Sequence, residues 1–298
     1  MPRRRRRAAE NAENLPVGHH RSRTSQLLVL AGLALFAVYS VAPVWWLLVS
    51  ATKDQHGLLY STGVWFSHFR LADNIRTVLS YDDGIFVRWL LNSLLYSGVG
   101  AVVCTVVSVA AGYALSRFEF PGRRLGMGLV VGSFLLPGAL LTLPMYLLFS
   151  KIGLVDTVWA VLIPTFVSPF SVYLSKVYID GSVPEELVEA ARIDGAGEVR
   201  IFATLVMRLM TTGAATVFLL SFVSSWNGFF LPLTMLQGED KWTLSVGLYA
   251  WNAQRASTEV DLTALVLTGA LLSVVPLAVF MIAMQRYWRT GVTLGALK

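Results

Sequence analysis

The chain has 298 residues, of which 55% are hydrophobic and only 14% are charged, and its formal net charge is +6. This balance is typical of a polytopic membrane protein and excludes an ordinary soluble domain, which does not need so much apolar sequence. The single cysteine, Cys104, excludes a disulfide within one chain and a thiolate metal site, and its apolar neighbours predict a small buried side chain.

A polar, basic segment precedes the first apolar stretch. Residues 1–26 include the block Arg3–Arg7, while the other basic residues lie at the ends of apolar stretches. This placement favours a disordered cytoplasmic tail attracted to anionic membrane lipid, and no nucleic-acid partner is expected. The adjacent His19 and His20 would need ligands from elsewhere to bind a metal, so no metal site is expected. The apolar stretch that follows is too long for a signal-peptide core and predicts an uncleaved anchor.

Six apolar stretches are long enough to cross a membrane, since a helix needs about 20 apolar residues for a hydrocarbon core of about 30 Å. They run from Leu27 to Ala51, Trp89 to Leu115, Leu125 to Ser150, Val158 to Ser175, Thr211 to Leu236 and Thr263 to Met284. The sequence therefore predicts an all-α membrane protein with a six-span domain over residues 27–285 and a C-terminal tail over residues 286–298.

The distribution of positive charge predicts the orientation. With both termini in the cytoplasm, the inside segments hold 17 of the 24 lysine and arginine residues and the outside segments hold 7. The positive-inside rule therefore favours cytoplasmic termini for a protein of the inner (plasma) membrane. Two external segments, 52–88 and 237–262, are long enough to cover the mouth of a cavity, to contact an external partner, or to serve only as connections.

Several kinds of active site are missing from the sequence. The predicted spans contain no ionisable acid, base or histidine, whereas ion-coupled carriers usually place such residues at membrane depth. Sodium sites built from carbonyls and hydroxyls remain open for such a carrier. No phosphate-binding loop of the form G-x-x-x-x-G-K-[ST] occurs, and no catalytic constellation is evident. We therefore expect a non-catalytic transport subunit without a cofactor, and any ATP hydrolysis is expected in a separate chain.

A charged segment between the fourth and fifth spans, residues 179–210, predicts a short cytoplasmic helix. Ser182 and Glu185 have the spacing of a capping box, and Gly195 is a natural helix stop. Four residues with i, i+3, i+4, i+7 spacing share one face of that helix: Leu187, Ala190, Ala191 and Asp194. This face would suit close docking into a partner, or it would lie against the protein's own spans.

The same segment carries a resemblance that extends along most of the chain. Glu189-Ala190-Ala191, three further residues and Gly195 resemble the EAA loop of permease subunits of binding-protein-dependent ABC importers. Other motifs are similar to the sugar-importer branch of this family, and above all to its six-span permease of the maltose-transporter type. These motifs are RFEFPGRR at 117–124, LLPGALLTLPMYLLFSKIGLVDT at 135–157, SWN at 225–227 and QRYWRTGVTLGALK at 285–298.

The resemblance implies a type I ABC importer permease fold whose EAA loop forms a coupling helix. In that reading, a separate ATPase subunit contacts Glu189, Ala190, Ala191, Asp194 and Gly195. The C-terminal tail, Gly295, Ala296, Leu297 and Lys298, also reaches the ATPase interface. The implied partners are these ATPase subunits, a second homologous permease in a heterodimer, and an extracytoplasmic solute-binding protein. The implied function is ATP-driven import of a sugar or oligosaccharide through half of a shared pore.

Two positions depart from the family pattern. The loop usually continues as Ile-x-Leu-Pro, but Arg208 stands where the proline is expected, which calls into question the bend between the loop and the next span. Gly228 replaces the acidic residue that commonly follows the Trp-Asn pair. Aromatic faces and amides suit sugars, so Trp226, Asn227 and Phe229 are candidates for the solute path, with packing in the bundle or at the membrane interface as the alternative.

Three other functions stay open on the sequence alone. An ABC importer permease for a non-sugar solute would share every motif above. An ion-driven secondary carrier would move solute without ATP, and a membrane scaffold would move none.

Overall fold

The computed structural model describes residues 23–254 and 262–295, and in this part of the chain the regular structure is helical. The helix over Glu198–Leu209 contains a π turn over Phe202–Val206. The helices are α1 (Arg23–Ala51), α2 (Gln55–Tyr60), α3 (Leu71–Ser80), α4 (Ile85–Arg117), α5 (Arg123–Gly132), α6 (Gly138–Lys151), α7 (Val158–Thr165), α8 (Pro169–Ser182), α9 (Glu185–Ile193), α10 (Glu198–Leu209), α11 (Thr211–Trp226), α12 (Phe230–Met235), α13 (Leu244–Gln254) and α14 (Leu262–Gly295).

The described helices give six candidate spans in the predicted order. Four helical stretches are long and apolar enough by themselves, namely Gln26–Ala51, Leu71–Arg117, Val158–Ser182 and Leu262–Tyr287. Two bent pairs provide the others when each pair counts as one span: α5 with α6, at 105°, and α10 with α11, at 84°. Irregular backbone at such breaks needs protein or a water-filled cavity around it, because lipid cannot satisfy its polar groups.

The observed helices differ from the predicted stretches mainly at their ends. Helix α1 begins at Arg23, before the predicted Leu27, and α14 continues past Met284 to Gly295. The predicted fifth span is interrupted after Trp226, and α12 follows as a separate short helix. Residues 1–22, with the predicted basic tail, lie outside the described residues, as do Ala296, Leu297 and Lys298.

Helix α4 is the central element of the bundle, and its 33 residues correspond to about 50 Å. It packs against α8 and α11 along most of its length. Near its first turns, Trp89 joins a core with Phe222 and Trp251. Toward its last turns, Val109 and Tyr113 join a second core that includes residues of α8, α9 and α10. Because α4 spans both cores, it connects the end that carries α9 to the opposite end, which carries α3 and α13.

Helix α1 stands apart from this bundle. None of the residues in its most apolar 18-residue stretch is buried. Large apolar side chains such as Leu35 and Phe36 are therefore exposed. Its last turn alone is covered, where Val49 and Ala51 are fully buried against the bundle and α14. The structure therefore leaves an apolar helix, about 25 residues long, with little contact to its own chain.

Candidate coupling surface and solute cavity

Helix α9 lies at one end of the bundle with one side on the core and one side free. Val188 is fully buried and packs with residues of α4, α8 and α10. On the other side, Ile193 is 86% exposed and Leu187 is 46% exposed, and Ala190 and Asp194 are exposed beside them. We call these four residues the exposed face of α9. An apolar side chain as accessible as Ile193 is available to a partner.

The predicted helix stop at Gly195 is confirmed. Gly195 has φ +80°, in the left-handed region that L side chains rarely adopt. Its N–H donates to the carbonyl of Arg192 at 3.0 Å, and the Ala196 N–H donates to the carbonyl of Ala191 at 3.0 Å. These two bonds form a Schellman motif, which satisfies carbonyls that the end of a helix leaves open. The chain therefore turns sharply between α9 and α10.

The predicted capping box at the start of α9 is wrong. Ser182 is the last residue of α8, and its hydroxyl donates to the carbonyl of Tyr178 at 2.5 Å instead of capping α9. Pro184 precedes the first turn of α9, where its missing N–H costs little. The Arg117 guanidinium holds this junction, because it donates to the carbonyl of Val183 and lies 4.0 Å from the Glu185 carboxylate.

A second set of polar contacts fixes the other end of α9. The Arg192 guanidinium donates to Oε1 of Glu198 at 2.7 Å, and the Tyr113 hydroxyl donates to Oε2 at 2.8 Å. The Arg192 guanidinium also lies over the ring of Phe118, 5.6 Å from its centroid. One carboxylate at the start of α10 thus connects α9 to the span α4, so that α9 is held at both ends.

The bend between the loop and the next span forms without the proline of the family pattern. Helices α10 and α11 meet at 84°, and Met210 at their junction is 1% exposed. The π turn Phe202–Val206 lies just before it, and Val206 is fully buried in the core below α9. The bend therefore forms with Arg208 in place, and buried apolar side chains pack before it and at it.

The structure separates the five residues predicted to contact an ATPase into two groups. Glu189, Ala190, Asp194 and Gly195 are exposed. Ala191 is half-buried and packs with Val188 against the core. The other three residues of the face drawn from the sequence, Leu187, Ala190 and Asp194, are exposed, and Val188 anchors α9 on its buried side.

A cavity of about 660 Å³ opens within the membrane-spanning part of the bundle. Its walls come from α6, α7, α8, α11 and α12, with Cys104 of α4 at one side. The volume falls within the range of about 300–1,000 Å³ that is usual for small-molecule sites. Apart from the Cys104 thiol, none of the described side chains that line it is ionisable.

Of the three predicted solute-path residues, Phe229 is the one that lines the cavity among the described residues. Phe229 lines the cavity, and its ring packs edge-on against Tyr249 at 5.1 Å between centroids. Trp226 is 7% exposed and stacks on Phe222, which is the bundle packing considered as the alternative. The amide of Asn227 donates to the carbonyl of Val223 at 2.9 Å at the end of α11. Phe229 therefore lines the cavity and Trp226 packs within the bundle, although the sequence analysis grouped both as solute-path candidates.

Other residues at these sites were not predicted from the sequence. The contacts of Tyr113 and Arg192 with Glu198 join distant segments, and nothing in local spacing indicated them. Serines in the cavity wall could have been found, because Ser221, Ser224 and Ser225 have i, i+3, i+4 spacing on an otherwise apolar span. Among residues 23–254 and 262–295, no group of three or more histidine, cysteine or acidic side chains is placed to hold a metal ion.

The opposite end of the bundle is closed by a polar network around Asp156. Its Oδ1 accepts from the N–H groups of Gln237 and Gly238, each at 2.9 Å, and its Oδ2 accepts from the Lys241 ammonium at 2.7 Å. The bond from Gly238 and the Lys241 ammonium lower the pKa of Asp156 to about 2. Trp89 of α4 donates to the carbonyl of Glu239 at 2.8 Å, which fixes the same loop to the central helix.

Replacing Asp156 with asparagine tests this network. Asparagine tolerates the positive φ of 59° at this position, so the substitution removes the charge and spares the backbone. The lowered pKa stabilises the folded protein above the unfolded carboxyl pKa of about 3.9, and this contribution is lost as the pH falls through about 2. We therefore expect Asp156→Asn to melt below wild type at pH 7, and the difference to shrink between about pH 4 and pH 2. A difference that does not change with pH would contradict this account.

Comparison with known proteins supplies the family. Residues 86–290 match the model of the binding-protein-dependent transport system inner membrane component. The arabino-oligosaccharide transport system permease protein AraQ of Halalkalibacterium halodurans is 32% identical over 273 residues, covering 91% of this chain and 96% of that protein. The trehalose transport system permease protein SugB of Mycobacterium tuberculosis is 30% identical, covering 87% of this chain and 93% of that protein.

A solved structure supports the fold. A chain of a bacterial ABC transporter involved in the import of the acidic polysaccharide alginate is similar with a TM-score of 0.78 and 21% identity, covering 92% of this chain and 99% of that chain. The predicted type I importer fold is therefore confirmed. The family model covers most of the chain and AraQ nearly all of it. The chain belongs to the family of inner membrane components of binding-protein-dependent transport systems, as a multi-pass, non-catalytic permease subunit.

Proposed function

We propose that this chain forms half of the transmembrane pore of an ATP-driven importer for a sugar or oligosaccharide. The observation that carries the proposal is α9, a short helix that is fixed at both ends and exposes Ile193 and Ala190 at the end of the bundle. Its partner would be a separate ATPase subunit, and an extracytoplasmic solute-binding protein would deliver the solute. The family to which the chain belongs supports both partners.

Helix α9 suits a lever between an ATPase and the pore. Arg117 fixes its first turn to α4, and Arg192 with Glu198 fixes its last turn to α10. Helix α10 continues through the 84° bend into α11, which lines the cavity. A displacement of α9 would therefore reach the cavity through helices and a packed core, with no flexible linker between. Glu189, Ala190 and Asp194 would contact the ATPase, Ala191 would support α9 from the inside, and Gly195 would make the turn.

The exposed helix α1 supports a second permease subunit. Apart from its last turn it lies free of its own bundle, and it carries large apolar side chains such as Leu35 and Phe36. The cavity, too, is open on one side in the single chain. A homologous permease packed beside this chain would complete the pore, and we propose a heterodimer, as the sequence resemblance implies.

The charge distribution and α9 together support the proposed orientation. With both termini in the cytoplasm, α9 faces the compartment that contains ATP, and 17 of 24 lysine and arginine residues lie on that side. The C-terminal residues Gly295, Ala296, Leu297 and Lys298 would then lie on the ATPase side. The network around Asp156 would face the solute-binding protein.

The names of relatives support a carbohydrate as the solute. Those names include arabino-oligosaccharides, trehalose and, for a Streptomyces coelicolor protein 27% identical to this chain, diacetylchitobiose. A permease for a non-sugar solute is the second candidate, because the coupling surface would be the same. Family membership decides against the ion-driven carrier and the scaffold.

The first test is to purify the tagged chain from its native membrane in a mild detergent and to identify the proteins that accompany it. We expect a second permease and an ATPase, with ATP hydrolysis that a sugar-loaded binding protein stimulates. A chain that purifies alone under conditions that preserve such complexes would contradict the proposal. Stimulation by a binding protein loaded with a non-sugar solute would favour the second candidate.

A further inference from the structure

Three interruptions of helices meet at the cavity in the membrane-spanning part of the bundle. Helix α6 begins at Gly138 after a break at Pro137, α8 begins after Ser168, and α11 is separated from α12 by Asn227, Gly228 and Phe229. Gly138, Ser168, Gly228 and Phe229 all line the cavity. Irregular backbone at membrane depth occurs where it is buried in protein or lines a water-filled cavity, and here residues of all three breaks line the cavity. Transporters place solute sites at such discontinuous helices.

Hydroxyl groups from two helices lie side by side in the wall of this cavity. Ser221 and Ser224 follow one face of α11, and Ser168 and Ser171 follow one face at the start of α8. The Ser171 and Ser221 hydroxyls share a hydrogen bond of 3.3 Å, and the Ser221 hydroxyl donates to Sγ of Cys104 at 3.5 Å. The Ser168 hydroxyl accepts from the Ser171 N–H at 3.2 Å, so each of these serines keeps acceptor capacity beyond the bonds within the wall. We call these four serines the serine track. Serine hydroxyls both donate and accept hydrogen bonds, so they can pair with either role of a solute hydroxyl.

Aromatic rings complete the wall beside the serine track. Phe170 adjoins Ser171 on α8, and Phe229 and Phe230 follow the break after α11. The Phe229 and Phe230 rings pack edge to face, 5.6 Å between centroids. A wall of this kind, mostly apolar with a few hydroxyls, suits a ligand that has apolar ring faces and hydroxyl edges.

The cavity offers nothing to balance a charged solute. No described basic or acidic side chain lines it. An unpaired ion in such surroundings loses its hydration without compensation, whereas a neutral hydroxyl needs only a hydrogen-bond partner. The wall therefore disfavours uronates, phosphosugars and cationic amino sugars alike.

We propose that the serine track is a solute-binding subsite on this subunit and that it takes an uncharged polyhydroxylated segment, not an acidic sugar. The proposal rests on the proposed import function and goes further, because it places a contact on this half of the pore and assigns that contact to an uncharged part of the solute. It also distinguishes this chain from the transporter of the acidic polysaccharide alginate whose fold it shares.

The test uses the intact complex in lipid nanodiscs, with each partner present. Saturation-transfer NMR would compare direct binding of three neutral probes, raffinose, trehalose and diacetylchitobiose, with binding of an alginate trisaccharide. We expect at least one neutral probe to bind and the alginate probe to show no transfer. Ser221→Ala and Ser224→Ala should each weaken binding about two- to tenfold, the usual effect of one lost hydrogen bond.

Thr216→Val on the same helix is the matched control, because the Thr216 hydroxyl is satisfied within α11 by the carbonyl of Thr212 at 2.9 Å and does not line the cavity. The inference is overturned if alginate binds as well as the neutral probes, if no neutral probe binds, or if the serine variants behave like Thr216→Val. ATP hydrolysis stimulated by the binding protein is measured in the same samples. If stimulated hydrolysis is present in any of these three outcomes, the import function is still supported and only the subsite is ruled out. If stimulated hydrolysis is absent, the import function itself is contradicted.

Discussion

Replacing Gly195 with valine is expected to abolish coupled transport while the protein still inserts into the membrane. The left-handed backbone at Gly195, φ +80°, costs an L residue roughly 1–2 kcal/mol and a β-branched residue more. That energy shifts the equilibrium between the native turn and other backbone conformations by a factor of about 5 to 30. Because α9 would then be misplaced against its partner, we expect solute uptake by reconstituted vesicles to fall at least tenfold.

Two further variants show whether the backbone is the cause. Gly195→Asn should keep most of the uptake, since asparagine tolerates the left-handed conformation. Gly197→Ser should also be mild, because Gly197 has an ordinary φ of −70° at the start of α10, and serine suits that position. No neighbouring atom lies within 4 Å of a Cβ at either glycine, so space does not distinguish them. Equal loss of uptake in Gly195→Val and Gly197→Ser would refute the role given to the turn.

The spans and the helix stop could be predicted because each depends on local sequence. A stretch such as Leu27 to Ala51 must be helical in a membrane whatever it contacts, and Gly195 needs no distant partner to end a helix. The start of α9 could not be predicted in the same way. Ser182 fits a capping box by spacing, yet it completes α8, because the Arg117 guanidinium from α4 determines where the chain turns.

The candidate sites depended on contacts that spacing does not reveal. Three of the four residues predicted on one face of α9 are exposed, but Ala191 is half-buried because it packs with Val188, which the EAA pattern does not include and which the core buries. In the cavity, Trp226 and Phe229 are three residues apart, but the break after α11 directs one into the core and the other into the cavity wall. A prediction from periodicity assumes a continuous helix, and it fails where the helix is interrupted.

The crossing of α4 and α8 gives the second large expected effect, because both helices contribute to the core on which α9 packs. A Cβ at Gly112 would lie 2.8 Å from the backbone nitrogen of Lys176 and 2.9 Å from Cβ of Ser175. Small residues allow such close approach of helices in membranes, and the backbone of α8 cannot move aside as a flexible side chain would. Overpacking costs about 1–3 kcal/mol, so Gly112→Ala should lower the melting temperature of the detergent-solubilised protein by roughly 3–10 °C.

Gly98→Ala on the same helix is the matched control. No atom lies within 4 Å of a Cβ at Gly98, so the extra methyl group is free there, and alanine is the better helix former by up to about 1 kcal/mol. We expect this variant to melt at or slightly above the wild-type temperature. If both alanine variants were destabilised equally, the loss would come from the substitution itself and not from the crossing. If Gly112→Ala alone is destabilised, the close spacing of α4 and α8 is what stabilises the part of the bundle in which Arg117 and Tyr113 hold α9.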